Sequence, residues 1–250
     1  MYIRRLLTDK LYKLVESFPV VVVSGARQVG KSTLLQNTLG IEAEIVVFDP
    51  VIDVENARQD PELFLNNHPT PLILDEIQYA PELVASIKRR IDLDRAPGQY
   101  ILTGSQQWGV MKSMSESLAG RAVFLDLYSF CLLEISQSNF TMPWFVRWLD
   151  SPDAFLTKRQ SRLPEKTTLY EQLWRGFLPE PQFLSLDVIP DFLSAYQRTY
   201  IERDVRLLAE VQTSLREVIL PPDFWTLSYL RGESPTSIWS NFPAGVTTLS

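Results

Sequence analysis

The sequence predicts an α/β fold, a mainly parallel five-stranded sheet flanked by helices, followed by a smaller and mostly helical region. Three observations predict it. Short apolar, β-branched runs alternate with segments of helical spacing, the pattern of strands buried on both faces and linked by crossover helices. One such run, Val20–Ser24, passes directly into a glycine-bearing loop and then a helix. After about Phe130 strand runs give way to helical spacing rich in aromatics, as in PWFVRWL, YEQLWRGF and AYQRTY.

Taken in order, Arg4 to Phe18 reads as a helix through Leu7, Leu11, Leu14 and Val15, stopped by Pro19. Val20–Ser24 is the first strand, and KSTLLQNTLG is a helix closed by Gly40 in the C′ position. Glu44–Asp49 is a second strand, and Asp53 to Asn67 carries helical spacing through Ala57, Leu63 and Phe64. Leu72–Leu74 is a third strand, Pro81 opens the helix ELVASIKRRI, and Gln99–Thr103 and Val123–Leu127 are the fourth and fifth strands. Pro190 to Val211 reads as one amphipathic helix. Three regions are expected: residues 1–130 as the sheet domain, 131–211 as the helical region, and 212–250 as an atypical, poorly ordered tail rich in serine, threonine and proline.

Composition bounds the possibilities. With 250 residues, 45% hydrophobic and 22% charged, the chain can bury a proper core. A net charge of −6 does not favour a nucleic-acid partner, which stays open only through Lys88-Arg89-Arg90, a run that reads first as an exposed helix face. The single cysteine, Cys131, excludes an intrachain disulfide and reads as core packing. The single histidine, His68, has no companion ligands and reads as a surface residue. The N-terminus is interrupted by charges and no segment is long and apolar enough to span a bilayer, so a cytoplasmic location with no membrane partner is expected.

The loop after the first strand carries the chemistry. Gly25-Ala26-Arg27-Gln28-Val29-Gly30-Lys31-Ser32 satisfies G-x-x-x-x-G-K-[ST], the phosphate loop of a P-loop NTPase. The glycines let backbone N–H groups turn inward onto phosphate oxygens, and the helix starting near Lys31 adds the positive end of its dipole. Lys31 is expected to bridge the β- and γ-phosphates, Ser32 to coordinate Mg²⁺, and Thr33 to meet the α-phosphate side. PLILDEIQ then ends a strand on two acids. Asp75 is expected to hold Mg²⁺, and Glu76 to polarise the attacking water as general base. In ILTGSQQ, Ser105 is preferred over Thr103 as the hydroxyl that reports the γ-phosphate. Arg121, in LAGRAVFLDL, fits a charge over the γ-phosphate of its own site, the same role in a neighbour's site, or a structural ion pair.

With these motifs in place the chain resembles a group of bacterial and archaeal AAA-type ATP-binding proteins. The resemblance rests on the GxRQVGKS loop (Gly25 to Ser32), LDEIQ (Leu74 to Gln78), TGS (Thr103–Ser105), LAGR (Leu118–Arg121), GFLPEP (Gly176–Pro181) and YIERDV (Tyr200–Val205). It covers roughly residues 1 to 211, and beyond Val211 the chain departs from the family pattern, as a truncated or frame-shifted product would. The resemblance implies ATP rather than GTP, and the companion C-terminal region implies a protein partner or self-association. The expected function is a Mg²⁺-dependent ATPase that couples hydrolysis to movement of its C-terminal helices. The alternatives are a nucleotide-gated switch with little turnover of its own and an inactive remnant that keeps the ATP site without its output.

Overall fold

The structure is a computed structural model, and it describes residues 2–40, 43–48, 54–105, 114–137, 144–157 and 169–201. Among the described residues five strands form one parallel sheet: β1 (Val20–Gly25), β2 (Glu44–Val47), β3 (Leu72–Asp75), β4 (Tyr100–Ser105) and β5 (Ala122–Asp126), in the order β2-β3-β4-β1-β5. β1 is central, with Val20 facing Tyr100 on one side and Ala122 on the other.

Helices cover both faces. Helix α1 (Thr8–Val15) and helix α2 (Lys31–Thr38) place Leu11, Leu34 and Leu35 against Val21, Val23, Ile73, Ile101 and Leu125. On the other face α3 (Val54–Gln59), α4 (Pro61–Asn67) and α5 (Leu83–Leu93) pack Ala57, Phe64 and Ile87 on Val20, Val22, Leu74 and Leu102. The odd and even valines of β1 thus serve two cores, which is why that strand is apolar throughout rather than alternating.

Several elements differ from expectation for local reasons. α1 begins only at Thr8, because Arg5 is drawn into the interior instead of continuing the helix. The helix expected over 53–67 is two helices broken at Asp60-Pro61. Proline disfavours a helical residue before it, and Asp60 sits at φ −136°, ψ 80° with its carboxylate accepting the Leu63 N–H at 3.0 Å. Gly40 closes α2 as expected, its N–H bonding the Leu35 carbonyl at 3.0 Å. Cys131 is half-buried at the start of a short helix, α6 (Leu132–Ile135), rather than in the core. His68 packs against Phe64 with the rings tilted and their centroids 4.3 Å apart, and pairs with Glu44. Arg89 and Arg90 both pair with Glu62, so much of the basic run is spent within the fold.

The chain divides into two compact units, Met1–Ile189 and Pro190–Ser250. The first continues past residue 130, so α6, α7 (Trp144–Asp150), α8 (Pro152–Thr157) and α9 (Leu169–Arg175) belong to the same unit as the sheet. In place of the expected long helix, α10 (Ile189–Tyr196), all but its first residue in the second unit, is followed by a π turn, Gln197–Ile201. Residues 202–205 of YIERDV and the tail 212–250 lie outside the described residues. No helix among the described residues is long and apolar enough to cross a membrane.

Ile87 is fully buried beneath the sheet, whereas Leu93, six residues later at the end of the same helix, is 89% exposed. Ile87→Ala is expected to cost about 2–5 kcal/mol and Leu93→Ala less than about 0.5 kcal/mol. Urea unfolding of the two variants checks this, and equal losses would contradict the packing of α5.

Candidate nucleotide-binding site

β1 delivers Gly25 to the carboxyl edge of the sheet. A Cβ on Gly25 would stand 2.3 Å from the Leu127 carbonyl oxygen, so only glycine lets the chain pass there. The loop then turns through positive φ at Gln28 (59°) and Gly30 (93°), while the Val29 side chain plugs into the core beneath. Gly30 precedes α2, whose first turn carries no acidic residue to repel an anion from its free N–H groups.

Lys31 is the electrostatic centre. It is 5% exposed, and its Nζ donates to the carbonyls of Gly25 (3.1 Å) and Ala26 (3.0 Å), folding the side chain over its own loop. Burial pushes the ammonium below its ordinary pKa. Glu76 and then Asp75 push it back up, and the nearby Arg27 charge lowers it again. The acidic strand end, more than forty residues from the loop in sequence, is thus near enough for its charges to act on Lys31.

The sheet order explains the second half of the site. β4 lies between β1 and β3, with Val23 opposite Thr103 and Leu74 opposite Leu102. Thr103 therefore stands between the phosphate loop and the acids. Its fully buried hydroxyl donates to Asp75 Oδ1 and accepts the Glu76 N–H at 3.2 Å. Asp75 itself is buried, and Glu76 follows in the left-handed region at φ 60°, ψ 44°. That conformation is uncommon for a residue with a side chain, and it turns Glu76 sharply away from the strand line. The Gln78 side-chain amide donates to Glu76 Oε2 and holds the carboxylate. Beside the loop, Ser24 Oγ donates to Asp126 Oδ1 and ties the ends of β1 and β5 together.

The expected residues fall into two groups. Gly25, Ala26, Arg27, Gln28, Val29, Gly30, Lys31, Ser32 and Thr33 form the loop and the first turn of α2, with Asp75 ending β3 and Glu76 directly after it. Ser105 ends β4 opposite Gly25, which brings its backbone to the loop. Arg121 is elsewhere. It precedes Ala122, which faces Val20 at the opposite edge of the parallel sheet, about 17 Å along the strand direction from Gly25 at ~3.3 Å per residue. Its guanidinium forms a two-pronged pair with Asp92, at 2.6 and 2.9 Å, and also bonds the Ala119 carbonyl. Of the three roles open to Arg121, the one over its own γ-phosphate is therefore corrected, since the strand direction carries it away from the loop. Arg5 and the Gln78 clamp carry no role in the sequence reading, and Thr103 enters it only as the alternative to Ser105, not as the hydroxyl that makes hydrogen bonds to both Asp75 and Glu76. Gln78 and Thr103 each leave a local trace, as the last residue of LDEIQ and the first of TGS.

A parallel sheet with a glycine loop, buried lysine and acidic strand end at one edge defines a P-loop NTPase domain. Residues 17–136 match the family model of an AAA domain, and this part of the chain is similar to such domains. Uncharacterized proteins of Mycobacterium bovis and Mycobacterium tuberculosis are each 30% identical over 142 residues, covering 56% of this chain and 32% of theirs. The match thus spans about a third of the length of those curated relatives, at 32%. Among solved structures, a Walker-type ATPase of Pyrococcus abyssi is similar at 16% identity and a TM-score of 0.45, with 94% of this chain and 77% of that one covered. The RuvB Holliday junction branch migration motor of Thermotoga maritima is similar at 15% identity and a TM-score of 0.42, with 95% and 81% covered.

Because Arg121 is held at the far edge by Asp92, Arg121→Ala is expected to leave nucleotide affinity of the dilute protein within about twofold, well under the loss that removing a charge-assisted contact brings. Titration with a fluorescent ATP analogue checks this. A tenfold or greater loss would place Arg121 back at the loop.

Proposed function

We propose that this protein binds ATP with Mg²⁺ at the loop Gly25–Ser32 and hydrolyses it, using Glu76 as general base. The observation that supports this most strongly is the buried Lys31 feeling the charges of Glu76 and Asp75, with Thr103 bonding both the Asp75 carboxylate and the Glu76 N–H on the strand next to β1. The oxygen donors fit a hard divalent ion. The Ser32 hydroxyl and the Asp75 carboxylate would hold Mg²⁺, which favours oxygen ligands and is commonly bound by one or two carboxylates together with substrate phosphates. When bound, the ion neutralises charge on the β- and γ-phosphates.

The chain's own groups do the rest. Backbone N–H groups of the loop and the first turn of α2 receive phosphate oxygens. Lys31 exchanges its hold on the Gly25 and Ala26 carbonyls for the β- and γ-phosphates. Water attacks the γ-phosphorus, its proton passes to the Glu76 carboxylate, and the bond to the β–γ bridging oxygen breaks to leave ADP and phosphate. Thr103 keeps Asp75 and the Glu76 backbone in fixed relation during these events. Hydrolysis is coupled to the helices after residue 130 through the turn Gly176–Gln182, whose Pro179 Cγ would lie 3.7 Å from a Cβ on Gly30.

One observation favours a second reading, a nucleotide switch whose turnover waits for a partner protein or a second copy. Arg121 is spent on Asp92 at the far edge, so its charge is not available over its own loop. MgATP binding and turnover decide between the two. The parent is expected to turn over ATP. Lys31→Ala is expected to lose binding, and Glu76→Gln to keep binding while losing about 10²–10⁴-fold in turnover. Binding without turnover in the parent supports the switch, and a parent that does not bind ATP overturns both.

A further inference from the structure

The interior next to the phosphate loop holds a charged group that neither sequence motif nor the proposed chemistry accounts for. Arg5, 5% exposed, comes from the segment ahead of α1 and is bonded to three parts of the chain. Its Nε donates to Glu134 Oε1 at 3.0 Å, and both side chains of this pair are 5% exposed. One terminal nitrogen donates to the Tyr128 and Ser129 carbonyls, at 2.6 and 3.3 Å. The other donates to the Val29 carbonyl at 2.8 Å. The guanidinium lies over the Phe130 ring, 4.7 Å from its centroid. Glu134 completes the arrangement by accepting the Leu6 and Cys131 N–H groups, at 2.8 and 3.0 Å.

The Val29 contact links this cluster to the phosphate loop. A trans peptide is planar, and its C=O and N–H point to opposite sides. Holding the Val29 carbonyl toward Arg5 therefore turns the Gly30 N–H away from Arg5. Gly30 is at φ 93°, where glycine has little intrinsic preference of its own, and the Val29 side chain is already fixed in the core. The peptide 29–30 is thus held from both ends, on the residue that leads into Lys31.

We propose that Arg5 is a positioning residue for the phosphate loop, setting the Val29–Gly30 peptide so that the Gly30 N–H faces the phosphates before nucleotide arrives. This rests on the nucleotide reading of the loop. A lysine at position 5 could keep the ion pair with Glu134, but a compact ammonium cannot span the Val29, Tyr128 and Ser129 carbonyls as a planar guanidinium does.

The test compares the parent with Arg5→Lys, and with Arg5→Met combined with Glu134→Gln, which removes the buried charge pair together. Hydrogen–deuterium exchange of the nucleotide-free proteins is read in peptides covering residues 25–32 and, as a reference, in β1, β4 and α5. Loop exchange is expected to rise about tenfold with the reference strands unchanged, because only a local opening is affected. ATP affinity is expected to weaken about tenfold, the scale of one lost charge-assisted hydrogen bond. Unchanged loop exchange overturns the proposal. Exchange that rises everywhere, or failure of both variants to fold, also overturns it and leaves Arg5 as a general support of the fold. A parent that does not bind ATP defeats the nucleotide reading separately, since loop exchange is measured without nucleotide.

Discussion

The site depends first on the position of β1. All six of its residues are buried, it pairs on both sides, and it contributes side chains to both cores. A strand held in this way has no freedom to slide, because a one-residue slip would exchange the contents of the two cores. Gly25 therefore emerges at a fixed height against the Leu127 carbonyl, and the loop begins from a fixed direction. The neighbours of β1 set the rest of the edge, with β4 supplying Thr103 toward the acids and β5 leading to the carbonyls of Tyr128 and Ser129 that Arg5 holds.

Around that edge the protein buries charges of both signs, and each is kept by its neighbours. Lys31 loses solvation but gains the fields of Glu76 and Asp75. Arg5 loses solvation but meets Glu134 and three backbone carbonyls, which use the several donors of the guanidinium. Buried ion pairs of this kind add little net stability on average. Their structural consequence is directional. Arg5 points at one loop carbonyl and Thr103 at one carboxylate oxygen, which are contacts a well-packed aliphatic core cannot make.

The parts of this arrangement that were legible in the sequence are those governed by local rules. Val20–Ser24 read as a doubly buried strand because β-branched residues were uninterrupted, and the loop was legible because each of its residues has a local steric or charge reason. Asp60-Pro61 carried an equally local signal, that of a helix start, but the apolar spacing around it suggested one continuous helix. The remainder required the order of strands. Nothing near Thr103 indicates that β4 inserts between β1 and β3, yet that insertion turns an ordinary strand threonine into the link between Asp75 and Glu76. Arg121 shows the reverse case. Its motif left three roles open, and the pairing of Ala122 with Val20 sets it just ahead of β5 at the edge opposite the one where β1 ends. Arg5 and Glu134 lie 129 residues apart, beyond the reach of any periodicity argument.

The same edge also concentrates backbone strain. Gln28 and Glu76, at φ 59° and 60°, are two of the three residues other than glycine with positive φ among the described residues, and each directly follows or precedes a functional group. Left-handed backbone at a residue with a side chain costs about 1–3 kcal/mol and persists only where surrounding contacts enforce it. Those contacts are identifiable here. The Thr103 hydroxyl and the Gln78 amide fix Glu76 from its backbone and its carboxylate, and the buried Val29 with Arg5 on its carbonyl fixes the turn that follows Gln28. A loop held in that shape before ligand arrives does not have to be ordered by the phosphates, so less of their binding energy goes into conformational entropy. The strain and the buried donors are therefore two parts of one arrangement, since removing the donors would allow the backbone to relax out of its left-handed turns.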